Sequence, residues 1–200
     1  MITREANITD EARDLYDGVW EAHVNDAQGS SSAELHGSRI IGAIKASSIE
    51  FVVTVPDITT SEGLLSPISR DPDLRNIRVC KEDEGVGICA GLSYCNRRSL
   101  LLMQHTGLLD SINAIRAVAV EYCLPICMMV GLLEKEPERK PQDSARFGVR
   151  IVEPILDVMG ITHYLIESDA DAPRIGPAVD DAYAHSRPVL FLLGRRPLAS

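Results

Sequence analysis

The sequence predicts an α/β fold of three layers, with a six-stranded, mainly parallel sheet held between two layers of helix. Two observations carry this. From Ala33 onward, short β-rich runs alternate with helical patterns, the order that builds a parallel sheet covered on both faces. The chain has 200 residues, 45% of them apolar, which suffices for one α/β domain with a buried core. No internal repeat or low-complexity segment interrupts the alternation.

The first stretch stands apart. Thr9 can cap an acidic, amphipathic helix from Asp10 to about Val24, and Asn25 to Ser32 is a Gly/Ser-rich break. Residues 1–32 are therefore expected to form a helical extension and linker, and residues 33–200 the α/β domain. Helical spacing covers Ala33 to Ser47, followed by a strand over Glu50 to Val55 that Pro56-Asp57 closes. Further strands are expected at Ile77 to Cys80, Leu100 to Met103, Pro125 to Val130, Ile161 to Ile166 and Pro188 to Leu193. Between them helical patterns run over Glu82 to Asn96, Leu108 to Tyr122, Ala145 to Met159 and Ile175 to His185. In the second of these, Leu108, Ile112, Ile115 and Ala119 fall three or four apart and predict one buried stripe.

Composition excludes several functions. A net charge of −9 without a Lys/Arg cluster would repel a nucleic-acid backbone or an anionic membrane. No apolar run approaches the ~20 residues that span a bilayer, and Met1 to Glu5 lacks the order of a signal peptide, so a cytoplasmic location is expected. The five cysteines, Cys80, Cys89, Cys95, Cys123 and Cys127, are odd in number and sit mostly in apolar runs. They predict reduced core thiols, and no spacing completes a metal site.

Ligands of open α/β sheets collect at the carboxyl ends of the strands, which directs attention to the segments after Val55, Cys80, Met103 and Val130, the candidate chemistry lying in the first three. After Cys80 three acids, Glu82, Asp83 and Glu84, open a helix, and complementing its dipole accounts for Asp83 and Glu84 without further purpose. Gly85, Gly87 and Ala90 also fit a dinucleotide fingerprint. The first glycine stands four polar residues beyond the strand, however, and no acid follows at Leu102 to His105, so a nicotinamide site is not expected. After Met103, His105 lies between Gln104 and Thr106-Gly107 at a strand's carboxyl end, a setting that suits proton transfer; the bland alternative is a histidine that hydrogen-bonds its own turn.

Three separated motifs carry a resemblance: Val-Pro-Asp at Val55 to Asp57, Glu-x-Glu-Gly-Val-Gly-Ile-x-Ala-Gly at Glu82 to Gly91, and Met-Gln-x-x-Gly-Leu-x-x-Ser-Ile-Asn-Ala at Met103 to Ala114. In this order, and over about His36 to Arg195, the chain resembles the α subunit of the sulfopyruvate decarboxylase family. It is similar also to the N-terminal domain of phosphonopyruvate decarboxylase. The resemblance implies a pyrimidine-binding domain of the thiamine-diphosphate superfamily. In that superfamily a glutamate opening the helix after the second strand holds N1′ of the aminopyrimidine and promotes the imino form that leads to the reactive ylid. Glu82 is the matching position, with Glu84 its rival in register. Asp57 matches an acidic position near the substrate, while Pro56, Gln104, Gly107 and Asn113 fall at positions assigned to cofactor binding.

Where the family usually continues Asn-Ser-Gly-Leu-Gly-Asn, this chain has His105-Thr106-Gly107-Leu108-Leu109-Asp110. The His-Thr pair resembles the corresponding turn of pyruvate decarboxylase, where histidines relay protons, and suggests a relay of His105 with Asp57. The arginine often found after the fourth strand is replaced by Gly131-Leu132-Leu133-Glu134. The chain contains no Gly-Asp-Gly, the motif that holds Mg²⁺ and diphosphate in such enzymes. The expectation is thus a hetero-oligomeric decarboxylase of a small acidic 2-oxo acid, sulfopyruvate- or phosphonopyruvate-like, with further copies of this chain in the assembly. Thiamine diphosphate and Mg²⁺ would be held mainly by a partner chain, with no metal ligand in this one. A thiamine-diphosphate carboligase and a non-catalytic α/β binding subunit are the alternative readings.

Overall fold

The computed structural model describes residues 34–199. The extension expected over residues 1–32 lies outside the described residues. Six strands form one sheet: β1 (Phe51–Thr54), β2 (Arg75–Arg78), β3 (Ser99–Gln104), β4 (Cys127–Gly131), β5 (Thr162–Ile166) and β6 (Val189–Leu193). Their order is β2-β1-β3-β4-β6-β5 and every pairing is parallel, so the mainly parallel sheet expected is parallel throughout. β3, β4 and β6 read as continuous apolar runs because both faces of the sheet are covered.

Helices α1 (Gly37–Ala46), α2 (Glu82–Tyr94), α3 (His105–Asp110), α4 (Phe147–Arg150), α5 (Val152–Val158) and α6 (Ile175–His185) supply the outer layers, with shorter helical turns between them. One core lies under α1 and α6 and includes Ile40, Ile44, Val179 and Phe191. The other lies under α2, α3 and α5 and includes Val86, Leu101, Leu108 and Leu156. Alternate residues of one strand serve opposite cores, as Val52 and Val53 do on β1.

The structure departs from the expected elements in four places. β2 begins two residues earlier than expected: Arg75 N–H donates to Glu50 C=O at 2.8 Å and Val79 N–H to Thr54 C=O at 3.0 Å. As an edge strand with a polar burial pattern, β2 is defined by its pairing with β1 and not by its own hydropathy. The expected polar turn after Met103 does not form, because α3 starts at His105, directly at the end of β3. The helix expected over Leu108 to Tyr122 is broken at Ser111 and widens to a π-helix over Ile115–Glu121; Leu108, Ile115 and Ala119 of the expected stripe are buried, whereas Ile112, just after the break, is only half-buried. The helix expected over Ala145 to Met159 divides at Ile151, three residues before Pro154, whose missing N–H leaves the Arg150 carbonyl without its helical donor.

The cysteines also differ from expectation. Cys89 and Cys127 are buried, whereas Cys80, Cys95 and Cys123 are exposed at the ends of elements; all are free thiols. Burial pushes the Cys89 thiol up to about 11, leaving it protonated and unreactive near neutrality. Among the described residues no helix is long and apolar enough to cross a membrane.

Candidate functional site

The chain leaves β1 toward β2 on one side and places β3 on the other, so the loops after β1 and β3 diverge. A crevice of this kind, at the carboxyl ends of adjacent strands, is where such sheets bind ligands. Helix α2 delivers Glu82 to it. The helix packs on β1 and β3 with Gly85 as its contact: a methyl group there would stand 2.5 Å from Leu101 Cδ1 and 3.4 Å from Val53 Cγ1. The missing side chain lets the first turn settle onto the sheet. Gly87 and Gly91 have open space beside them among the described residues.

The three acids of that turn have separate fates. Glu84 reaches back, its Oε2 accepting the N–H groups of Cys80 at 3.0 Å and Lys81 at 3.3 Å, which caps the helix. Asp83 Oδ1 accepts the N–H of Glu84 at 2.9 Å, and the side chain is exposed. Glu82, the first residue of α2, is half-buried and has no hydrogen-bond partner among the described residues. Its carboxylate lies directly over Gly107 of α3, where any side chain at Gly107 would overlap Oε1, Cδ and Cγ of the glutamate. The fold thus brings Glu82 and Gly107 together from different strands, while Glu84 is taken up in capping the helix.

The other site residues are engaged within their own loops. Asp57 caps the turn after β1: its Oδ1 accepts from the N–H groups of Thr59 at 2.7 Å and Thr60 at 2.9 Å, and its Oδ2 from Thr60 Oγ1 at 2.5 Å. Pro56 precedes it and is exposed. Gln104 Nε2 donates to Thr106 Oγ1 at 3.0 Å. Asn113, exposed, accepts from Arg116 Nε at 3.2 Å and Nη2 at 3.0 Å.

His105 is 6% exposed. Its Nδ1 accepts the N–H of Leu133 at 3.2 Å, which puts the proton of the neutral ring on Nε2. That edge faces Gly148 of α4, where a methyl group would stand 3.0 Å from Nε2. Among the described residues, no hydrogen bond joins His105 to Asp57. The two meet the end of β4 separately, Thr59 of the Asp57 turn packing on Gly131 and His105 bonding Leu133.

Burial lowers the pKa of His105 below its ordinary value of 6.5, only partly opposed by the Gly131 backbone and the charge of Glu134. The unfolded chain then binds a proton below about pH 6.5 that the folded chain refuses, so this group's contribution is present above that pH and lost as pH falls below it. Denaturant midpoints measured between about pH 5 and 7.5 are expected to fall on the acid side, and His105→Gln to lose that part of the slope. An unchanged slope in the variant would show the ring to be no source of it.

Sequence reasoning passed over a second cluster at the same rim. Between the loops after β1, β4 and β6 lies a cavity of about 180 Å³ whose walls include Ile58, Thr59, Leu133, Lys135 and Arg195. Lys135 has a fully buried side chain with its Nζ 2.5 Å from Glu167 Oε1. The signal was present, since Gly194-Arg195-Arg196 directly follows the last apolar strand. A larger cavity, of about 520 Å³, lies beside α1 and the loop after β5, away from Glu82, and includes Arg39 and Asp169. There Asp169 already accepts from the N–H of His36 and lies 2.8 Å from its Nδ1. Among the described residues no three metal-ligating side chains cluster.

No protein-family model matches the chain. Curated relatives do. The chain is 32% identical over 158 residues to the sulfopyruvate decarboxylase subunit alpha of Methanocaldococcus jannaschii, a match covering 76% of this chain and 89% of that one. It is 29% identical over 155 residues to the subunit of the same name from Methanothermobacter thermautotrophicus, covering 77% and 92%. It is also 27% identical to the sulfopyruvate decarboxylase of Methanosarcina acetivorans, spanning 78% of this chain and 39% of that longer protein. With a six-stranded parallel sheet and two alpha-subunit relatives matched over about nine-tenths of their length, one of them 32% identical, the chain belongs to the family of sulfopyruvate decarboxylase alpha subunits.

Proposed function

We propose that this chain is the cofactor-activating subunit of a thiamine-diphosphate-dependent decarboxylase of a small acidic 2-oxo acid, with Glu82 as the residue that acts on the cofactor. The observation that carries this reading is the Glu82 carboxylate: half-buried, without a hydrogen-bond partner among the described residues, and seated over a glycine whose missing side chain makes room for it. A carboxylate in that setting is available to a ring nitrogen and, shielded from bulk water, shares a proton with it more strongly than an exposed one would. The residues present therefore fit the cofactor's pyrimidine end. When bound, thiamine diphosphate would supply the electron sink for loss of CO₂.

This chain's own part is to hold and exchange a proton at Glu82, to keep that carboxylate in place with Gly85 and Gly107, and to wall the crevice. Asp57 and His105 we assign to the walls, since each fixes a loop at the rim; a proton delivered by His105 would require its ring to leave Leu133. Pro56, Gln104 and Asn113 remain cofactor contacts by resemblance. The diphosphate and Mg²⁺ belong, on this reading, to a partner subunit, and the active site to the interface between chains. The alpha-subunit names of the relatives support a partner, as do Ile58 and Phe147, apolar side chains 67% and 66% exposed on segments that border the site. A cytoplasmic location accords with a soluble cofactor and substrate.

Calorimetry with thiamine diphosphate and Mg²⁺ tests the reading. Binding is expected only when this chain is mixed with a partner carrying Gly-Asp-Gly, and 2-oxo acid decarboxylation only in that mixture. Tight binding by this chain alone would place the diphosphate site here, and no binding in any mixture would end the decarboxylase proposal.

A further inference from the structure

The cavity between the loops after β1, β4 and β6 is charged in a particular way. Four ionic side chains line it, and three of them are matched: Lys135 with Glu167 at 2.5 Å, Glu134 with Arg146 at 2.9 Å, and Arg196 with Glu62 at 3.3 Å. Arg195 is left without an ion-pair partner among the described residues. Its Nε is shut off from solvent and has no hydrogen-bond partner among them, and the same is true of Oγ1 of Thr59, another residue of the lining. A polar group without a partner is costly, and an arginine and a threonine of one cavity lining that each carry one point to a ligand. The hydroxyl can donate and the guanidinium can only donate and is positive, so the species that completes both is an acceptor carrying negative charge. A volume of about 180 Å³ limits it to a small one.

The place matches the crevice. The cavity sits over β4 and β6, the first and second strands beyond β3, and the end of β3 leads directly to Gly107 beneath Glu82. With neighbouring strands about 4.8 Å apart, the cavity lies roughly 5–10 Å along the sheet from that end. Lys135, locked to Glu167 and donating to the Glu136 carbonyl at 2.9 Å, holds the β4 loop that forms the floor.

We propose that this cavity is the subsite for the remote acidic group of the substrate, a sulfonate or similar compact anion, received by the Arg195 guanidinium and the Thr59 hydroxyl. The site stands on its own geometry and rests on the decarboxylase reading only for the identity of the acid. Arginine suits the task because its planar donors match the oxygens of a sulfonate. It would also take the part of the arginine that this chain lacks after β4.

Two measurements test it separately from the proposed function. The first is a nuclear magnetic resonance titration of the full chain with sulfoacetate, against sodium chloride of equal ionic strength. Saturable shifts are expected at the Arg195 Nε–H and at the Leu133 and Lys135 amides, absent in Arg195→Gln and weakened in Thr59→Val. No shift, or the same amide shifts in Arg195→Gln, would overturn the site and leave water as the occupant. The second is steady-state kinetics of the chain assembled with its partner. Arg195→Gln is expected to raise KM for sulfopyruvate about 10- to 100-fold, with a smaller effect on kcat and partial recovery in Arg195→Lys. Turnover of sulfopyruvate with KM unmoved in Arg195→Gln would sink the subsite and spare the decarboxylase. Sulfoacetate binding through Arg195 without turnover in any assembly would do the reverse.

Discussion

Glu82→Gln, assembled with the partner chain, is expected to lose about 10²- to 10⁴-fold in kcat, the range that a positioned proton-transfer group contributes. The variant should fold normally. Among the described residues the carboxylate makes no hydrogen bond, so the amide leaves none broken, and removing one negative charge from a helix start costs only about 0.3–1 kcal/mol. The control is Glu84→Gln, two residues away on the same turn. There the capping bonds to the Cys80 and Lys81 N–H groups weaken, so stability falls by about 1 kcal/mol while kcat stays close to the unsubstituted enzyme. Measuring kcat and the unfolding midpoint for both separates the two acids. If Glu84→Gln abolished turnover and Glu82→Gln did not, the assignment of the activating glutamate would be wrong by one helical neighbour.

Gly107→Ala is expected to give a stable protein with little activity. The new methyl group would occupy the space now held by the end of the Glu82 side chain. That side chain is flexible and can swing away, so the overlap is relieved cheaply, and replacing glycine by alanine within α3 favours the helix by up to about 1 kcal/mol. The cost falls on position instead. A displacement of the reacting group by about 1 Å can lower a rate about 10²-fold. The unfolding midpoint should therefore stay level or rise while kcat falls by about two orders of magnitude. Wild-type kcat in this variant would show that the contact between Glu82 and Gly107 does not matter to the reaction.

Much of this was legible in the linear chain. The six strands follow from apolar runs bounded by turn residues, and the parallel sheet from their alternation with helices, because burial on both faces leaves a hydropathy pattern strong enough to read locally. Edges were harder. β2 is half-exposed and held by one neighbour, so its limits are written in its hydrogen bonds to β1 and not in its own residues. The start of α3 at His105 likewise depends on β3 ending against β1 and β4, since His105 and Thr106 have no strong preference for helix.

The site divides along the same line. Glu82 could be picked out by its place in a motif, but three consecutive acids differ only in direction along a helix turn, and the sequence alone does not say which of them the backbone N–H groups capture. Folding decides it: Glu84 points back to the helix start, and Glu82 points across to Gly107, 25 positions away in the chain and on the next strand's helix. Arg195 was passed over for the opposite reason. An arginine after a strand is unremarkable until the loops after β1 and β4 close around it and every other charge in the cavity is matched. Element type is set by interactions among residues near one another in the chain, whereas the charge balance of a cavity is a sum over side chains that only the sheet order brings together.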